Sequence, residues 1–201
     1  MTYITMFVVI VSAAVVLNLK KKDFMLLPEK IEQLMNSTPM KCYKNSFYGY
    51  TVHYPSFFEQ TPDSLIIDVG CCQFRFWNMV QIEQTIFVTY CPDGISVEHI
   101  MDSLATVCHA TEQRWENDSI FLSGPLYIDD SKISGHQYHA KYVRRGKLLF
   151  VQMLTYPDDC KKSVSRLVKQ IDDWKVWYFP LPSINTGGDN GYFSTTGKIS
   201  R

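Results

Sequence analysis

The stretch from Gly135 to Tyr156 restricts the possible folds more than any other part of this chain. Gly135 to Arg144 alternates along its length, Lys147 to Tyr156 is strongly apolar, and Arg145-Gly146 stands between them as a two-residue turn. Alternation of period two is strand geometry, because successive side chains point to opposite faces. An alternating run and a strongly apolar run joined by a tight glycine turn predict a β-hairpin. Gly146 fits the turn because a tight hairpin loop needs φ > 0, which a side chain opposes. Tyr138 and Tyr142 are evenly spaced, so they share one face of the first strand. With that face taken as exposed, they are the candidate partner-binding pair, since tyrosine is among the residue types that dominate interface energy.

Other strands are expected around this hairpin. Tyr48 to Pro55 reads as a strand stopped by proline, and Leu65 to Val69 as a second. Phe74 to Trp77 is a third, with Cys72, Phe74 and Phe76 on one face, and Thr85 to Tyr90 a fourth, closed by Pro92-Asp93-Gly94. Ile120 to Leu122 and Leu126 to Ile128 are short pieces on either side of Gly124-Pro125. Within this part of the chain, helical spacing appears twice. Val97, Ile100, Met101, Leu104, Val107 and Cys108 form one stripe, with Ser96 as N-cap. Val164, Leu167, Val168 and Ile171 form another after Pro157, with Asp158 or Asp159 as the cap.

The ends differ in character. Ile4 to Leu19 is an uncharged apolar run followed at once by Lys20, Lys21 and Lys22. It suits a short membrane anchor or a signal-like segment, and the lysines favour an anchor whose C-terminal flank is cytoplasmic. Residues 1–22 are therefore expected to be the membrane segment and 23–40 a connector. In the connector, Pro28 and the Ile31, Leu34, Met35 spacing start a short helix. Residues 41–178 form an α+β domain, an antiparallel sheet flanked by helices. From Phe179 a Gly-, Ser- and Asn-rich tail runs to Arg201.

Composition and spacing exclude more chemistry than they indicate. Twenty basic residues balance twenty acidic ones, so nothing steers the molecule toward nucleic acid. The six cysteines contain no CxxC and no zinc-finger pairing with histidine. His136 and His139 lie three apart in a strand, face opposite sides and cannot share a metal; His99 and His109 lie too far apart on a helix. Cys160 sits near a helix start, where a thiolate is favoured, but Asp158 and Asp159 oppose it. Ser123-Gly124 and Ser134-Gly135 are not nucleophile elbows, and Gly187 to Gly191 lacks the lysine of a phosphate loop. Lys161, Lys162, Arg166 and Lys169, with Arg144, Arg145 and Lys147, could form a basic patch facing anionic lipid. No catalytic residue, cofactor, metal or small-molecule substrate is indicated.

The order of elements, with Tyr50, Tyr54-Pro55-x-x-Phe58, Gly135-His136-Gln137-Tyr138, and Phe150 with Leu154-Thr155-Tyr156-Pro157 before the last helix, resembles the PsbP-like superfamily. That group includes DcrB-like bacterial lipoproteins and a Ran-binding import factor. The resemblance spans Phe47 to Trp174 and implies an antiparallel sheet used mostly as a binding platform. No lipobox cysteine follows the apolar run. The expectation is a membrane-tethered, non-catalytic binding or accessory domain that recognises a protein partner, in a bacterial cell envelope. The alternative is a hydrolase or thiol enzyme whose site is assembled from distant residues. A pocket holding His, Asp or Glu, and Cys or Ser together would support it.

Overall fold

The computed structural model describes residues 26–177 other than 67, 69 and 79, and the expected hairpin is its centre. Strands β1 (Met40–Lys44) and β2 (Thr51–Pro55) pair as a small antiparallel sheet. The large sheet holds β3 (Glu59–Gln60), β4 (Cys72–Phe76), β5 (Ile82–Tyr90), β6 (Glu112–Glu116), β7 (Ser119–Ile128), β8 (Ser131–Arg145) and β9 (Leu148–Pro157). Its order is β3-β4-β5-β9-β8-β7-β6 and every pairing is antiparallel. Helices α1 (Leu27–Ser37), α2 (Val97–Val107) and α3 (Ser165–Asp172) flank it, so the fold is α+β as expected.

Strand β9 lies inside the sheet between β5 and β8 and is covered on both faces, which is why its sequence is mostly apolar instead of alternating, with Gln152 buried among the apolar residues. Phe150, Leu154 and Tyr156 join Phe74, Ile82 and Ile86 in one core, closed by Ile31 and Met35 of α1, Leu167 and Ile171 of α3, and Val52 and Tyr54 of β2. Leu149 and Val151 join Ile120, Leu122, Tyr138, Ala140 and Tyr142 on the other face, under Ile100 of α2. Ser96 caps α2 as expected, its hydroxyl accepting from the His99 amide at 3.2 Å.

The turn between β8 and β9 falls one residue later than expected. Arg145 pairs with Leu148, which leaves Gly146 and Lys147 as the loop. Gly146 has φ +59° and open space where a Cβ would stand, so conformation and not crowding demands glycine there. A left-handed first residue alone is the pattern of a type II′ turn. The two short pieces around Gly124-Pro125 are one strand, β7, irregular between Pro125 and Tyr127. A Cβ on Gly124 would lie 2.9 Å from the His109 carbonyl oxygen, so glycine lets the chain leaving α2 cross close to the strand. Asp129 and Asp130, both at positive φ, turn β7 into β8, a hairpin that sequence reading passed over.

Three further expectations change. The strand expected over Leu65 to Val69 does not appear among its described residues: Asp63–Leu65 is a 3₁₀ turn and Leu65 is exposed. Helix α3 begins at Ser165, after a 3₁₀ turn at Asp158–Cys160, and neither aspartate side chain caps it. Leu27–Ser37, read as part of a connector, carries the fully buried Ile31 and Met35 and belongs to the core. Arg166 ties its C-terminus by donating to the carbonyls of Met35 (2.5 Å) and Thr38 (3.0 Å). The run Ile4–Leu19 and the tail from 179 lie outside the described residues. Among the described residues, no helix is long and apolar enough to cross a membrane.

Candidate functional site

Strand β8 sorts its side chains by parity. Tyr138, Ala140 and Tyr142 point into the core under α2, and His139 and Lys141 point to the opposite face, beside α3. Register then sets their neighbours. Ser123 of β7 stands opposite His139, and Glu112 of β6 opposite Ser123; one step along, Phe121 stands opposite Lys141 and Arg114 opposite Phe121. A polar row and a cation-flanked aromatic therefore share the open part of this face.

His139 is almost fully buried at 8% exposure and is bonded through both ring nitrogens. Nδ1 lies 2.8 Å from the Ser123 hydroxyl and Nε2 lies 2.8 Å from Asp172 Oδ1 at the end of α3. A carboxylate only accepts hydrogen bonds, so the proton of the neutral ring sits on Nε2. Nδ1 then accepts from the Ser123 hydroxyl. The second oxygen of Asp172 meets Arg114 at 3.2 Å, and Arg114 also reaches Glu116 at 2.8 Å. The Arg114 guanidinium lies 3.8 Å from the Phe121 ring centre, with the Lys141 ammonium 5.0 Å from it.

Lys141 donates to the carbonyls of Asp172 (2.6 Å) and Trp174 (2.7 Å), closing the C-terminal end of α3 where unpaired carbonyls favour a cation. Burial lowers its pKa from the ordinary lysine value, with Asp172 opposing that effect. Ser123 lies where two depressions meet. One, of about 480 Å³, includes Arg114, Phe121, His139, Tyr156 and Asp172 in its walls. The other, of about 470 Å³, includes Lys132, Ser134, His136 and Asp158. Glu112, Ser123 and Lys161 line both.

The residues singled out from the sequence fare differently. Tyr138 and Tyr142 do share a face, but it is the buried one, at 3% exposure each. They are not surface residues, because the apolar stripe of α2 requires that face as its partner. Burial raises the pKa of both phenols, and the Tyr142 hydroxyl lies 3.5 Å from the Cys108 sulfur. Cys160 is wholly buried, and burial followed by the Asp159 charge pushes its thiol up to about 11. It is a protonated thiol, not a nucleophile. All six cysteines are free thiols.

The basic residues are dispersed among structural contacts. Arg144 donates to Ile95 and Pro92 carbonyls, Arg145 to Val176, and Lys147 pairs with Asp93. Lys161 and Lys169 line the groove beside Ser123. Among the described residues, no three of His, Cys, Asp and Glu gather as a metal site. His136 and His139 face apart, as their spacing requires, and His136 bonds only the nearby Ser134 carbonyl (3.1 Å) among the contacts seen.

Sequence reading missed the joining of Ser123, His139 and Asp172. One signal was available: His139 and Lys141 alternate with Tyr138, Ala140 and Tyr142, so a polar pair had to find partners opposite an apolar face.

Neither a protein-family model nor a curated protein sequence matches this chain. Two solved structures are similar to it in fold. Cyanobacterial PsbP from Synechocystis is 13% identical, covering 67% of this chain and 90% of that one, with a TM-score of 0.46. The Ran-binding protein Mog1p of Saccharomyces cerevisiae is 9% identical, covering 70% of this chain and 96% of that one, with a TM-score of 0.47. Both are of the kind that the sequence resemblance names, and at these identities and scores the likeness is one of fold.

Proposed function

We propose that this is a binding domain that recognises a protein partner, held at the membrane of a cell envelope by the run Ile4–Leu19. The observation that carries the binding reading is a set of exposed aromatic side chains at the hairpin-tip end of the molecule. Phe47, Tyr90 and Trp177 are 59%, 64% and 70% exposed. Tyr90 pairs with Leu148, the first residue after the tip. Arg145 at the tip donates to the Val176 carbonyl (3.1 Å), which brings Trp177 beside it. The loop carrying Phe47 lies against the same segment: a Cβ on Gly49 would meet the Trp177 carbonyl oxygen at 3.7 Å. Phe47 packs on Tyr48, and Tyr48 on Phe150. Large aromatics left in water at one end of a domain are the anchors from which interfaces are built. Ion pairs at the same end, Lys147 with Asp93 and Arg145 with Asp118, supply a charged rim.

The test is affinity capture from detergent-solubilised cells with the full chain. Replacing Phe47, Tyr90 and Trp177 together by alanine should lower recovery of a co-purifying protein at least about tenfold, one hot-spot's worth of binding energy. Recovery equal to wild type, with an unchanged melt, removes this end as the binding surface.

A further inference from the structure

We propose that Ser123 is a nucleophile activated by His139 and positioned Asp172, and that the groove it opens on hydrolyses small carboxylic esters. The inference goes beyond partner binding and rests on a different part of the molecule. Three side chains from β7, β8 and α3 form an unbroken chain of two 2.8 Å hydrogen bonds. For the neutral ring, the direction of both bonds follows from the carboxylate. Asp172 can only accept, so Nε2 holds the ring proton and the basic Nδ1 faces the serine. Arg114 on the far oxygen fixes the carboxylate from outside. The ring nitrogens are used in the opposite sense to serine proteases, yet the relay needs only one accepting and one donating nitrogen. The bridge ends at half-buried Ser123, which is open to an incoming substrate. Ser123 lies at the junction of the two depressions, while the histidine behind it is buried.

The walls suggest the class of substrate. Phe121, Tyr156 and Val168 give one depression an apolar surface for a short acyl chain. Lys132, Ser134 and His136 give the other a polar surface for the alcohol part. Lys161, common to both, supplies positive charge for the oxyanion.

The step balances without any redox partner. The Ser123 oxygen attacks the carbonyl carbon, its proton passes to Nδ1, and the carbonyl electron pair moves to oxygen. Collapse expels the alkoxide, which takes the proton from Nδ1 and leaves as the alcohol. Water then attacks the acyl-serine, gives its proton to Nδ1, and that proton returns to the Ser123 oxygen as the carboxylic acid leaves.

The test uses the full-length chain with a fluorophosphonate probe and with p-nitrophenyl butyrate. The probe should modify Ser123, as mapped by mass spectrometry, and ester turnover should vanish in S123A. H139Q should slow labelling by about a hundredfold or more, the usual contribution of a general base. D172N should lower the rate and change its pH profile, which a merely structural carboxylate would not do. Thermal melts identify any variant that fails to fold. S123A removes one small atom, so it decides the matter even if H139Q unfolds. A folded wild-type chain that leaves Ser123 unlabelled, or S123A that keeps wild-type turnover, overturns the proposal. Partner capture unchanged in S123A keeps this outcome separate from the binding reading.

Discussion

Tyr138 and Tyr142 show how a residue's environment is set from across the fold. Each fills the core beneath α2, so removing both rings opens cavities there. Large aromatic-to-alanine changes in a core cost about 3–5 kcal/mol each. The double alanine variant should therefore unfold well below the wild-type melting temperature instead of simply losing a partner. A wild-type melt would return the pair to the surface. The thiols make a second residue-scale prediction. Burial pushes Cys72 up to about 12 and Cys160 up to about 11, from 9.0. In both cases the folded chain holds a proton that the unfolded chain gives up sooner. Their stabilising contribution is full below pH 9 and is lost as pH rises through 11 and 12. The urea midpoint should fall between pH 9 and 11, with a shallower fall in Cys160→Ala. At neutral pH, iodoacetamide should modify the exposed Cys42 and spare Cys72 and Cys160.

Among the elements, the β8–β9 hairpin matters most, because β9 carries both cores and β8 carries the Ser123 partner. Its turn depends on Gly146 at φ +59°. A β-branched side chain there strains the backbone, so Gly146→Val should cost about 1–3 kcal/mol. Circular dichroism melts would read this directly, and an unchanged melting temperature would mean that the turn has another conformation. Helix α3 belongs to the same unit. Its last turn is held by Lys141 through two carbonyls, and the same end delivers Asp172 to His139. Anything that loosens α3 therefore disturbs the groove beside Ser123 as well as the core.

At the scale of the whole molecule, two truncations separate tether from domain. Removing residues 1–22 should release a folded chain from the membrane fraction, since every core residue described lies after them. Removing residues 1–38 should leave the rest unfolded or strongly destabilised, because Ile31 and Met35 go with it. Sedimentation with membranes and far-UV dichroism check the pair. A soluble wild-type chain would argue against an anchor, and a folded 39–201 fragment against α1 as part of the core.

Local physics made much of this fold legible in the residues themselves. Alternation from Gly135, the glycine at 146 and the apolar stripe from Val97 each specify an element through its own backbone period and turn chemistry, and each formed nearly where expected. The α+β sheet followed from those elements. Tertiary structure decided everything that depends on which face meets which. Parity put Tyr138 and Tyr142 on one side, but only the docking of α2 made that side the interior. The helix at Leu27–Ser37 has the same spacing whether it is a linker or a core element, and packing against α3 and the sheet chose the core. Ser123, His139 and Asp172 carry no shared spacing motif. They met because strand register is set by hydrogen bonding between strands and the helix end by Lys141, long-range pairings that no local window contains.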